Sequence, residues 1–242
     1  LKPSRAAMHA TERPAASPTA RLLGALLALA ALFLAPAAAA QALWQEGVHY
    51  ERISLPTEPS TPGKVEVTEV FSYGCPFCFR ALDIVGQLKA SLPAYAQMTY
   101  VHASFNPVEA WPVFQRAYLT AQSLGIAEAN HEELFNAIWL TGEVPLINPT
   151  TQQLVNPLPT VATLARFYAK RSKVTEAQFI KLAQSPQIDA AVKRSDELVK
   201  RWQISGTPSF VVNGKYRTGR GLKSYDDLIK VVNYLVALER AA

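Results

Sequence analysis

The chain contains two cysteines, Cys75 and Cys78, separated by two residues. In a helix this spacing is about one turn, which brings the two Cα atoms within the roughly 4.4–6.8 Å that a disulfide spans. A pair at this distance can be oxidised to a disulfide and reduced again. The spacing therefore indicates a redox-active dithiol.

The flanking sequence places this pair at the start of a helix. Residues 64–71 alternate in the manner of a β-strand, and Gly74 ends that pattern. Apolar residues then recur at helical spacing, and Pro76 suits the first helical position because its missing N–H costs nothing there. Cys75 is then the N-cap, where free backbone N–H groups and the helix dipole stabilise a thiolate, and Cys78 lies one turn inside.

Two other interpretations of the cysteine pair are possible. A zinc site would need further ligands, but the chain has no other cysteine and its four histidines show no ligand spacing. A purely structural disulfide would close so short a loop that chain entropy gives it little stabilising effect. Redox chemistry is the favoured interpretation, and no metal is expected.

Composition excludes nucleic-acid binding as the reason for the basic character. The net charge is +5, but residues 1–40 carry four basic residues and one acidic residue, and the remainder carries 20 basic and 18 acidic residues. Most of the excess positive charge therefore lies in residues 1–40, and the rest of the chain is not basic enough to indicate nucleic-acid binding.

Residues 1–40 are predicted to be a signal peptide. Arg21 precedes an apolar run from Leu22 to Leu34, and a small-residue region follows, with cleavage expected after Ala40 or, as second choice, after Ala42. Met8 is a candidate start residue. An uncleaved membrane anchor is the alternative, although the apolar run is short for a bilayer span. Export would place the cysteines in an oxidising compartment.

The remaining pattern predicts an α/β fold into which a long all-helical segment is inserted. Strands are expected near 49–53, 98–105 and 209–212, and Asn213-Gly214 predicts a hairpin into residues 215–218. The predicted domains are a first α/β part over 41–105, a helical insert over 106–203, and a second α/β part over 204–242. Within the insert, capping boxes are predicted at Asn130 with Glu133 and at Thr175 with Gln178.

Glu69 is a candidate for proton transfer. On an alternating strand it shares a face with Val65, Val67 and Phe71, so it would be buried in a sheet covered on both sides. A buried carboxyl has a raised pKa and can exchange a proton near neutral pH. The alternative is that Glu69 lies on a solvated face, because Glu66 and Thr68 make the opposite face polar.

Two segments carry a family resemblance. The chain resembles the periplasmic thiol:disulfide oxidoreductases of the DsbA type in two places. These are residues 69–78 and residues 206–216, which begin with Gly206-Thr207-Pro208 and end at Tyr216. The resemblance covers nearly everything after the leader. It implies a thioredoxin fold with an inserted all-helical domain, and a cis Pro208 that faces the disulfide.

The resemblance also implies an activity and its partners. Oxidised Cys75 and Cys78 would introduce disulfides into exported proteins that carry free cysteines, with Glu69 moving protons. Thr207, Pro208, Pro76 and Phe77 would contact the substrate chain. A quinone-linked membrane oxidase of the DsbB type would reoxidise the pair, with no bound cofactor, and the protein would act as a monomer.

Two departures from the family pattern bear on these expectations. Phe77 occupies the position where the best-known member has histidine, which removes one donor to the Cys75 thiolate. A lysine that lies beside the buried glutamate in some members is replaced near Tyr100. A disulfide reductase or isomerase therefore remains an alternative, and a peptide-binding chaperone without redox turnover is the alternative from another class.

Overall fold

The structure is a computed structural model that describes residues 44–241. The predicted signal peptide and its cleavage positions lie outside these residues. No helix within the described range combines the length and apolar composition needed to cross a bilayer.

A five-stranded mixed sheet organises the described chain, with spatial order β1-β5-β4-β2-β3. The strands are β1 (Tyr50–Arg52), β2 (Val65–Phe71), β3 (Ala96–His102), β4 (Ser209–Val212) and β5 (Tyr216–Thr218). β2 and β3 are parallel, and the remaining pairs are antiparallel. β2 therefore lies between β3, which follows it closely in the sequence, and β4, which comes about 140 residues later.

β2 is the buried centre of the sheet. All seven of its residues are buried. A strand covered on both faces has no solvated side, so polar Glu66, Thr68 and Glu69 are buried along with their apolar neighbours. The alternative that Glu69 lies on a solvated face is therefore wrong.

The helix that follows β2 is broken near its start. α1 covers Pro76–Arg80 and α2 covers Leu82–Ser91, with Ala81 between them as the end of one and the N-cap of the other. The sequence pattern predicted one continuous helix here. β3 then runs parallel to β2, so the two strands and the helices between them form a parallel crossover unit.

The segment between β3 and β4 is helical. Its α-helices are α3 (Trp111–Ser123), α4 (His131–Trp139), α5 (Val161–Ala169), α6 (Glu176–Ala183) and α7 (Pro186–Arg201), with two short 3₁₀ turns at Pro107–Glu109 and Glu128–Asn130. Buried apolar side chains of this segment share one core with Phe71, Tyr73 and both cysteines. The insert thus packs directly against the site. The exact domain boundaries stay a prediction.

One predicted capping box in the insert is confirmed and the other is wrong. The Thr175 hydroxyl accepts a hydrogen bond from the Gln178 N–H, and the Gln178 side chain accepts one from Thr175 in return. Asn130 is the N-cap of α4 but forms no cap hydrogen bond. Its amide instead donates to the Ile126 carbonyl at 2.7 Å, because Asn130 is buried and that carbonyl lies in the preceding turn.

The chain ends with the predicted hairpin and a long helix. Asn213 and Gly214 adopt φ values of 51° and 64°, which is the left-handed pair that a tight hairpin turn requires. α8 (Tyr225–Ala241) then packs against β2, β4 and β5 through its apolar face. This helix and the helical insert cover the two faces of β2.

Candidate active site

Cys75 is the N-cap of α1, as predicted. Its backbone is extended, with φ −95° and ψ 114°, and Pro76 occupies the first turn. The Cys75 N–H donates to the Ser72 carbonyl at 3.0 Å, and the Cys75 carbonyl accepts from the Phe79 N–H at 3.2 Å. These bonds fix the cysteine between the end of β2 and the start of the helix.

The environment of Cys75 stabilises its thiolate and lowers its pKa to about 6. The largest cause is a hydrogen bond from the Cys78 thiol, which outweighs the opposing effect of burial. Thr207 and the backbone N–H groups of Cys78 and Phe77 lower the pKa further. Helix-terminal N–H groups therefore contribute, as the sequence predicted, but the second thiol contributes more.

Cys78 has the opposite character. It is buried, with 1% of its surface exposed, and burial is the main reason that its pKa is raised well above that of a free thiol. The hydrogen bond to Cys75 and the charges of Cys75 and Glu69 raise its pKa further. Cys75 is buried as well, with 4% of its surface exposed, so the two sulfurs differ chiefly in acidity.

The Thr207–Pro208 segment lies against Cys75 from the far end of the sequence. Its peptide bond is cis, as the family resemblance implied. The Cys75 thiol donates to the Thr207 carbonyl at 3.4 Å. The Thr207 hydroxyl is buried and has no hydrogen-bond partner within the described part of the chain. When Cys75 ionises and no longer donates, this hydroxyl is available to stabilise the thiolate.

Glu69 lies on β2 beneath the cysteines with 2% of its surface exposed. Its pKa is raised to about 8, mainly by burial and to a smaller extent by the charge of Cys75. The register of β2 and β3 places Tyr100 directly across from Glu69. Since tyrosine carries no positive charge, nothing at that position favours the ionised carboxylate.

Phe77 and Pro76 form the outer surface of the helix start. The Phe77 side chain is 60% exposed, and the Arg80 guanidinium lies 4.5 Å from its ring centre. A depression of about 420 Å³ begins at Pro208 and includes Phe210, Leu222 and Tyr225. Apolar surface therefore extends from the cysteine pair into an open depression.

Sequence reasoning missed a set of hydrogen bonds that hold Tyr73, two residues before Cys75. The Trp139 indole donates to the Tyr73 carbonyl at 2.9 Å, and the Tyr73 hydroxyl is 3.0 Å from His131 Nδ1. The Tyr73 N–H donates to His102 Nε2 at 3.2 Å. His131 and Trp139 lie 58 and 66 residues along the chain from Tyr73, so no local signal links the insert to this turn.

A helix-capping sulfur of low pKa and a more deeply buried sulfur of high pKa, beside a cis proline near the end of the central strand, define a dithiol–disulfide exchange site of the thioredoxin type. Residues 66–233 match the family of the DSBA-like thioredoxin domain, and the chain belongs to that family.

The similarity extends over nearly whole relatives. The thiol:disulfide interchange protein DsbA of Pseudomonas aeruginosa is 31% identical over 222 residues, which cover 91% of this chain and 97% of that protein. DsbA of Azotobacter vinelandii is 30% identical over 226 residues, which cover 91% and 98% respectively. The crystal structure of DsbA from Xylella fastidiosa superposes with a TM-score of 0.68 at 32% identity, covering 80% of this chain and 96% of that one.

These relatives confirm the predicted fold, a thioredoxin-like fold with a helical insert. They also confirm the class of activity. The chain is a thiol:disulfide interchange oxidoreductase, and its substrates are proteins that undergo disulfide exchange.

Proposed function

We propose that the chain oxidises cysteine pairs in exported proteins in the periplasm, with Cys75 and Cys78 as the reacting residues. The observation that carries the proposal is the contrast between the two sulfurs, one at the helix cap with a pKa near 6 and one a turn inside with a raised pKa. The residue roles below follow from that contrast.

The first step is attack by a substrate thiolate on the Cys75 sulfur of the oxidised protein. A bond forms between the substrate sulfur and Cys75 Sγ, and the Cys75–Cys78 bond breaks with its electron pair on Cys78. We assign the attack to Cys75 because it caps the helix and is the less buried of the two, at 4% exposed, while Cys78 lies a turn inside at 1%.

Glu69 supplies the proton that Cys78 needs. The departing Cys78 sulfur is held in a buried site that disfavours the thiolate, so protonation accompanies its departure. Glu69 acts on Cys78 electrostatically and is largely protonated near neutral pH, since its pKa is about 8. It can therefore donate the proton and later recover one from solvent.

The second substrate thiolate then attacks the substrate sulfur of the mixed disulfide. The substrate disulfide forms, and Cys75 leaves as a thiolate, so two electrons have passed from the substrate to the protein. The low pKa of Cys75 makes it a good leaving group in this step and stabilises the reduced product. Both effects favour oxidation of the substrate over its reduction.

Thr207 and Pro208 provide the binding edge for the substrate. The Thr207 carbonyl lies 3.4 Å from Cys75 Sγ, within reach of a chain linked to that sulfur. An extended substrate segment would pair with the Thr207 backbone in the manner of an added strand. Pro76, Phe77 and the depression beside Pro208 would contact its apolar side chains.

Turnover requires reoxidation of the reduced pair. A quinone-linked membrane oxidase of the DsbB type fits this role, because it would accept the two electrons from Cys75 and Cys78 without a cofactor bound to this chain. The protein would act as a monomer, since the proposed steps use one cysteine pair.

Trapping of mixed disulfides tests the proposal. In periplasmic extracts the Cys75 thiolate of Cys78→Ala should attack disulfides already present in exported proteins and release one substrate thiolate. The covalent adducts should accumulate, because the second thiol that would resolve them is gone. Cys75→Ala should accumulate none and should lose the rapid alkylation seen at neutral pH. Adducts formed through Cys78 in the Cys75→Ala variant, or preferential alkylation of Cys78 in the reduced protein, would reverse the assigned roles.

The direction of exchange is tested separately by equilibration with glutathione. A reduction potential well below that of the glutathione pool would favour the reductase alternative. The chaperone alternative would be favoured if a Cys75→Ser variant still suppresses aggregation of other proteins and still replaces the unsubstituted protein in cells.

A further inference from the structure

A groove of about 910 Å³ lies apart from the residues assigned to disulfide exchange. It is bounded by α2 and β3 on one side and by the end of α3, the 3₁₀ turn Glu128–Asn130 and the start of α4 on the other. Neither cysteine nor Pro208 lines it. Its volume lies in the range of about 300–1,000 Å³ typical of ligand sites.

The groove has apolar and aromatic walls. Two tyrosines contribute to them, together with aliphatic residues of α2 and β3; the set is Leu82, Val85, Met98, Tyr100, Tyr118 and Ala127. Tyrosine rings attract cations as well as apolar groups. Such walls suit a ligand that combines an apolar body with a positive charge.

The charge of the groove is negative, although the chain as a whole is positive. Asp83, Glu128 and Glu132 line it, against one cation, Lys89. Lys89 is already paired with Glu128 at 2.6 Å. Asp83 and Glu132 are both exposed and form no ion pair with any residue in the range 44–241. His131 adds no charge near neutral pH, because burial lowers its pKa to about 4.

We propose that this groove binds a second segment of the substrate polypeptide, one in which a lysine or arginine stands among apolar residues. The apolar stem of such a side chain would lie along Leu82 and Val85, while its charged head reaches Asp83 or Glu132. The tyrosines add cation–π attraction. The proposal rests on the proposed function only in taking the occupant to be a substrate chain.

A second binding segment serves an enzyme that acts on extended chains. A polypeptide held at the groove presents its cysteines to Cys75 at a raised effective concentration, provided that the intervening chain can span the two places. The groove also shares a residue with the hydrogen bonds around the active-site turn, since His131 lines it and contacts the Tyr73 hydroxyl. Backbone signals of Tyr73 should therefore respond to occupancy.

Gly86 offers a way to fill the groove without disturbing the fold. It lies on α2 and lines the groove, and a Cβ at this position would meet no atom within 4 Å. Because Gly86 has ordinary helical backbone, Gly86→Phe should fold and occupy the groove. Ala177→Phe, on the exposed face of α6, is the matched control.

Direct binding is measured with labelled, cysteine-free peptides by fluorescence anisotropy. A peptide with lysine among leucine and phenylalanine should bind, and its counterpart with glutamate in place of lysine should not. Gly86→Phe, and separately the pair Asp83→Asn with Glu132→Gln, should weaken binding about tenfold, the scale of one cation–π contact with its ion pair. Ala177→Phe should leave binding unchanged.

Activity separates this proposal from the proposed function. Oxidation of reduced glutathione, which is too short to reach the groove, should be equal in all variants, while oxidation of a lysine-containing polypeptide should slow only in the groove variants. Loss of glutathione oxidation in the unsubstituted protein would contradict the proposed function and leave peptide binding to be judged by anisotropy.

Three results would overturn the groove assignment. The first is equal binding of both peptides, or binding that Gly86→Phe does not weaken. The second is displacement of the peptide by a simple diamine at the same concentration, which would indicate a small-cation site. The third is a dimer that Gly86→Phe dissociates, which would assign the groove to a second copy of the chain.

Discussion

Replacement of Glu69 by glutamine should stabilise the protein, and the gain should depend on pH. Glutamine has nearly the same volume and removes the group that titrates. Folding raises the pKa of Glu69 from 4.5 to about 8. Below pH 4.5 the carboxyl is protonated in the folded and unfolded chain alike, so its burial carries no ionisation penalty.

Between these two pKa values the unfolded chain releases a proton that the folded chain keeps. The stability of the folded state therefore falls as pH rises, by about 1.4 kcal/mol per pH unit, until the folded carboxyl ionises as well. From a shift of 4.5 to about 8, the penalty at pH 7 is about 3 kcal/mol. Glu69→Gln should remove it.

The assay is urea unfolding of both proteins at pH 4 and at pH 7. We expect no gain at pH 4, a gain of about 3 kcal/mol at pH 7, and a smaller gain in the oxidised protein, where the Cys75 thiolate that adds to the shift is absent. In thiol–disulfide exchange assays of the variant, the rate at which the Cys78 sulfur leaves the disulfide should no longer depend on pH between pH 6 and 8.

Glu66→Gln is the matched control on the same strand. Glu66 is also buried, but its carboxylate accepts hydrogen bonds from the Ser60 hydroxyl at 2.5 Å and the Thr61 N–H at 2.9 Å. Removing that charge should destabilise the protein. An equal effect of Glu69→Gln at both pH values, or a loss of stability at pH 7, would refute the burial argument.

Two further predictions concern the thiolate and the turn that holds it. Because the Cys75 pKa is lowered from 9.0 to about 6, the reduced form should gain stability relative to the oxidised form as pH rises from 6 to 9, by about 1 kcal/mol at pH 7 after allowance for solvent screening. Urea unfolding midpoints of the two forms, both carrying Glu69→Gln, measure this difference in stability. A difference that does not change with pH contradicts the prediction. Trp139→Phe keeps the stacking on Phe79 but loses the hydrogen bond to the Tyr73 carbonyl, so we expect a loss of about 1 kcal/mol of stability and a raised Cys75 pKa by thiolate absorbance. Trp202→Phe, which loses a comparable bond to Thr57, should match the stability loss and leave the absorbance profile unchanged.

The features that the sequence predicted well are those set by neighbours along the chain. The cap at Cys75, the turn at Asn213-Gly214 and the capping box at Thr175 each depend on residues within one helical turn or one hairpin. The burial of Glu69 followed from strand alternation and from the expectation that helices cover both faces of the sheet.

The features that escaped prediction depend on which surfaces meet. Asn130 has the residue type and spacing of a cap, but a nearby carbonyl takes its side chain. The main cause of the low Cys75 pKa is the second thiol, whose orientation toward Cys75 the spacing alone does not determine. The three bonds to Tyr73 come from β3 and α4, at positions 29 to 66 residues away.

The position of β4 in the sheet has a consequence for how the protein is made. β4 pairs with β2 from about 140 residues later along the chain, and it carries Thr207 and Pro208 to Cys75. Both cysteines are therefore synthesised well before this strand. Closing so long a loop is entropically costly and comes late in folding. Until β4 docks on β2, Cys75 lacks its contact with Thr207, so the complete site forms only when synthesis is nearly finished.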